Sequence, residues 1–95
     1  MFKITTDNED ADLTTVNLCG RFTREYVPEV EKELLRIGAK PKALALDLAE
    51  VTLVDRAAIV FLCAARSRNI AIENIPLYVR LWMDQEDCKS PLHSD

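Results

Sequence analysis

The sequence is poor in the residues on which most site chemistry depends. Its single histidine, His93, lies near the C-terminus, which leaves Ser-His or Cys-His catalysis without a placed base. With two glycines in 95 residues, it holds neither G-x-x-x-x-G-K-[ST] nor any other glycine-rich phosphate cradle. The three cysteines, Cys19, Cys63 and Cys88, form no C-x-x-C pair and have no histidine beside them, a spacing that fits neither a disulfide framework nor a metal site. Cys19 and Cys63 read as small, buried or half-buried hydrophobes, and Cys88 as a free thiol in a polar tail. No run approaches the roughly eighteen apolar residues of a membrane-spanning helix, and the start, MFKITTDNED, lacks the features of a secretory signal. A cytoplasmic protein with no cofactor and no membrane insertion is the expectation.

What remains is the composition of a folded domain. Apolar residues make up 48% and charged residues 29%, enough for one modest core and too few residues for two. Lys and Arg number 12 against 16 Asp and Glu, a net charge of −4, and the basic residues are scattered rather than striped; nucleic acid is therefore excluded as a partner. The acidic loop Asp7, Glu9, Asp10 and Asp12 lacks the glycine and terminal glutamate of a calcium loop and reads as a solvated hairpin. Glu29 and Glu33, on one helix face, balance Lys32 and Arg36 rather than forming a catalytic pair. No enzymatic activity is expected.

The periodicities predict strand, strand, helix, strand, helix, strand, helix. Phe2 and Ile4 alternate as in a strand over 2–6, the acidic stretch 7–12 breaks it, and 13–19 resumes with β-branched residues, making an N-terminal hairpin. Thr23 is placed as the cap of a helix over 24–37, with Pro28 in its first turn, Val27, Val30, Leu34 and Ile37 as its seam and Gly38 as its stop. The run ALALDL, Ala43 to Leu48, suits a central strand, with Asp47 near its end meeting backbone donors or solvent. Asp55 caps a second helix over 56–68. A short strand over 70–72 follows, then a last helix led by Pro76 with Ile75, Val79, Trp82 and Met83 inward. Residues 1–85 form one domain, and 86–95 a flexible tail.

The second helix poses the question of function. At about 100° per residue, Ala58, Phe61, Leu62 and Ala65 share one face and read as core. Opposite them stand Ile59, Val60 and Cys63, rimmed by Arg56, Arg66 and Ser67. An apolar patch of this kind is either a contact surface, for a partner or a second copy, or is covered by another part of the chain. Arg56 sits where the helix dipole disfavours a cation; it either leans back on Asp55 or Glu50 or serves as a recognition charge.

LCGRF (Leu18 to Phe22), LALDLAEVTLVDRAA (Leu44 to Ala58) and the element order resemble the STAS domain, the family of sulfate transporter C-terminal domains and bacterial anti-sigma factor antagonists. The match rests on Asp47-Leu48, Val51, Val54-Asp55 and the small Ala58, and extends from Phe2 to about Gln85. It implies an α/β fold, a mixed sheet of about four strands with three helices mainly on one side. It also implies a partner-binding surface at the start of the second helix. In the antagonists a serine or threonine in this turn is phosphorylated; here Asp55 takes the family aspartate, Arg56 the first serine, Ala57 the phosphate-accepting serine and Ala58 the glycine.

The expected function is thus a regulatory protein-interaction module, resembling an anti-sigma factor antagonist but not switchable at Ala57, with Asp55, Arg56, Ala57, Ile59, Val60 and Cys63 binding a partner. The resemblance suggests a kinase-like anti-sigma factor or another regulator, with a homodimer through the same patch as a further option and Thr52 as a place for a relocated phosphate. A nucleotide- or lipid-binding role, such as an accessory subunit of a lipid transporter, is the alternative.

Overall fold

The computed structural model describes residues 1–10, 12–38 and 43–86. Strand β1 (Phe2–Asp10) runs antiparallel to β2 (Leu13–Phe22). A single 3-10 turn (Arg24–Tyr26) leads into helix α1 (Val27–Ile37), and then come β3 (Ala43–Val54), α2 (Arg56–Ser67), β4 (Ala71–Glu73) and α3 (Leu77–Gln85). The strands lie in the order β1-β2-β3-β4, with the last two pairings parallel, so α1 and α2 are the crossovers that parallel neighbours require. The expected mixed α/β architecture and element order are those observed.

Alternation decides which side of the sheet is covered. Val16, Leu18 and Phe22 of β2 are wholly buried while Asn17 and Cys19 between them are only half-buried; Leu46 and Leu48 continue the buried row in β3. The core closes with Val30 and Leu34 of α1, Ala58, Leu62 and Ala65 of α2, and Val79 and Met83 of α3. At the end away from the β1–β2 turn, Phe22 stacks on Phe2 with centroids 5.6 Å apart and meets the edge of Phe61 at 5.8 Å.

Several expectations are corrected. Strand β1 does not stop at Thr6: pairing with β2 carries it through the acidic residues to Asp10, with a register shift between Asp7 and Asp10. Neighbouring-strand hydrogen bonds here outweigh the low strand propensity of Asp and Asn. Strand β3 continues six residues past Leu48, so Asp47 is internal; its carboxylate accepts from the Ala49 N–H at 2.9 Å, across the register shift, and from the Asn74 amide at 2.9 Å. Thr23 makes no side-chain cap, and the first turn after it is 3-10 rather than α. Gly20, at φ 91°, lies where a Cβ would run into the Met1 carbonyl.

One ion-pair group ties the hairpin to α1. Glu33 accepts from the Thr6 hydroxyl at 2.8 Å and from Arg36 Nε at 3.0 Å. These bonds, Arg36 first and Thr6 second, hold its carboxyl at about 2 against an ordinary 4.5. Because the folded value is the depressed one, this stabilisation is present above about 4.5 and is lost as pH falls towards 2. Glu33→Gln should therefore lower the melting temperature slightly at neutral pH and flatten its decline between pH 4.5 and 2, read by thermal unfolding across that range.

Candidate protein-contact site at the start of α2

Asp55 organises the site. Its Oδ1 accepts from the Ala58 N–H at 3.0 Å, the N-cap expected from sequence, while Oδ2 accepts from the Arg24 N–H at 2.9 Å. One carboxylate thus satisfies orphan donors of two turns and locks the β2–α1 connection against the start of α2. Between them lies a hollow of about 380 Å³, lined by Thr23, Arg24, Glu25 and Asp55.

Arg56 turns to neither Asp55 nor Glu50. Its guanidinium makes a two-pronged pair with Glu86, Nε to Oε2 and Nη2 to Oε1, both 3.2 Å, joining the first turn of α2 to the end of α3. The hydrogen bonds raise the Arg56 pKa and lower that of Glu86. The pair is open to water, with 72% of the Arg56 side chain exposed, so it fixes a charge in place more than it stabilises the fold. Glu86, assigned to a fraying tail from sequence, is held by this contact; the rest of the expected tail lies outside the described residues.

The sequence-derived patch is partly broken up. Val60 is 49% exposed and Ala57 half-buried, so both reach the surface, whereas Ile59 is wholly buried and contributes nothing to an outer face. Helix α2 packs on the sheet and meets both α1 and α3, so its buried arc spans about 160° instead of a single stripe. Cys63 is half-buried and disulfide-bonded, which corrects the reading of it as a plain hydrophobe and the exclusion of disulfides; spacing rules do not see pairs made by tertiary proximity. Cys19 is a free thiol; Cys88, expected to be another, lies outside the described residues. Leu53, 46% exposed just before the cap, adds an apolar surface residue that the sequence reading passed over.

No family model matches the chain, and no curated protein matches it by sequence. Solved structures do. An anti-sigma factor antagonist from Mycobacterium paratuberculosis aligns with a TM-score of 0.63 at 18% identity, over 76% of this chain and 64% of that one. This chain therefore spans slightly less than two thirds of that protein. The unphosphorylated anti-sigma factor antagonist SpoIIAA aligns at 0.62 with 8% identity, over 84% and 81% of the two chains. An uncharacterized DUF3478-family protein with a SpoIIAA-like fold, from Shewanella loihica, aligns at 0.57 with 13% identity, over 95% and 80%. The chain has the SpoIIAA-like, STAS-type fold. Among the described residues no helix is long and apolar enough to cross a membrane.

Proposed function

We propose that this chain is a non-enzymatic regulatory module that binds a protein partner through the start of α2, with a kinase-like anti-sigma factor or a comparable regulator as the partner. The observation that carries this reading is the Asp55 bridge. It presents Arg56, Ala57 and Val60 on a rigid helix end, in the fold shared with anti-sigma factor antagonists. A fixed surface of one charge beside apolar side chains suits recognition without induced ordering.

Position 57, where the family pattern places the phosphate acceptor, carries a methyl group, and position 56 carries a permanent cation. Binding is therefore constitutive at this turn. Incubation with the cognate kinase should leave the mass of the intact chain unchanged, and a phosphate mapped to Thr52 would show a switch moved elsewhere.

Arg56→Glu is the direct test of the surface. From sequence alone the new charge suits the helix dipole; the structure adds its repulsion from Glu86, and the two effects, each of some tenths of a kcal/mol, leave stability within about 1 kcal/mol of wild type. Binding of a charged partner should fall roughly tenfold or more in a pull-down, since reversal replaces an attraction by a repulsion. Equal recovery by wild type and variant removes Arg56 from the interface.

A further inference from the structure

The other edge of the molecule carries a second surface. Strand β1 is an outer strand of the sheet, and among the described residues nothing pairs with its free side. The Arg21 N–H donates to the Met1 carbonyl at 3.1 Å, and Met1 lies opposite Arg21 in the register that sets Phe2 against Gly20. Residues of odd number in β1 therefore bond to β2, and the N–H and C=O groups of Phe2, Ile4 and Thr6 point to the open edge. This stretch has no proline and no internal bulge before Asp7, two of the devices by which open edges are blocked; a third, edge charge, is present as Lys3 and Asp7.

We propose that β1 pairs antiparallel with β1 of a second copy of this chain, in the register that sets Thr5 opposite Thr5. The charge pattern selects that register. Lys3, Thr5 and Asp7 are exposed on one side of the strand, and in this alignment Lys3 of each copy faces Asp7 of the other, twice by symmetry. Those positions form the pairs without mutual backbone bonds, where opposing side chains come closest. Ile4 and Thr6 form the intervening pairs and exchange four N–H···O bonds through the groups that point outward. The register shift beyond Asp7 ends the regular pairing, so the match is confined to the strand's first half. The result is one continuous eight-stranded sheet that leaves the start of α2 free in both copies.

Sedimentation velocity of the full chain over a concentration series tests this. Wild type should show a monomer–dimer equilibrium. Lys3→Glu and Asp7→Lys, each placing like charges across the two-fold axis, should each weaken association roughly tenfold or more, with unchanged far-UV circular dichroism. The double variant Lys3→Glu/Asp7→Lys should recover the wild-type association constant, a rescue that a folding defect would not give. A chain that stays monomeric at every concentration overturns the proposal. So does a dimer insensitive to both reversals, or one dispersed by Val60→Asp and not by Lys3→Glu.

Discussion

Asp55→Ala should lower stability by about 2–3 kcal/mol, a loss of roughly 10–15 °C in melting temperature for a domain of this size. The carboxylate has two backbone donors from different segments, Ala58 and Arg24, and alanine leaves both without their acceptor. A cap alone is worth about 1 kcal/mol; the rest comes from releasing the 3-10 turn from α2. Asp55→Asn keeps one side-chain oxygen and should retain the Ala58 bond, so its loss should be about half as large. Urea unfolding measures both, with an unchanged slope showing that the transition remains cooperative. The same variants should impair partner binding beyond their effect on folding, because the carboxylate sets the angle at which Arg56 and Val60 are presented.

Phe22→Ala should cost about 3–5 kcal/mol, the range for removing a large aromatic from a closed core. Phe22 has no exposed surface and stands between the Phe2 and Phe61 rings, so truncation leaves a cavity bordered by the hairpin, the 3-10 turn and α2. Tyr26 stacks on Phe2 at 4.7 Å, and the same loss frees that pair to shift. Against a typical total of about 5–15 kcal/mol, the variant should be largely unfolded at modest urea concentrations. Phe22→Leu, which conserves much of the volume, should lose less than half as much, so the comparison isolates the cavity from the ring contacts.

The parts of this fold that were legible in the sequence are those fixed by local rules. Asp55 before a run free of Gly and Pro marks the start of α2, Gly38 (φ 70°) marks the end of α1, and the alternation in β2 names its buried face. What sequence missed depends on neighbours distant along the chain. A single amphipathic stripe puts Ile59 outside, whereas contacts on several sides widen the buried arc. Arg56 and Glu86 are thirty residues apart, and no periodicity joins them. The second role of Asp55 is equally invisible, since a cap to α2 is a local signal and a bond to Arg24 is not. The acidic half of β1 follows its partner strand against its own propensity.

We propose the start of α2 as the partner-binding surface. Hydrogen–deuterium exchange, comparing the chain alone with the chain bound to the protein it captures from its native cell, tests this most directly. Exchange should slow over residues 23–26 and 53–63 on complex formation, while the exposed face of α1 around Leu35 exchanges as before. Protection confined to α1, with 53–63 unchanged, would contradict the account.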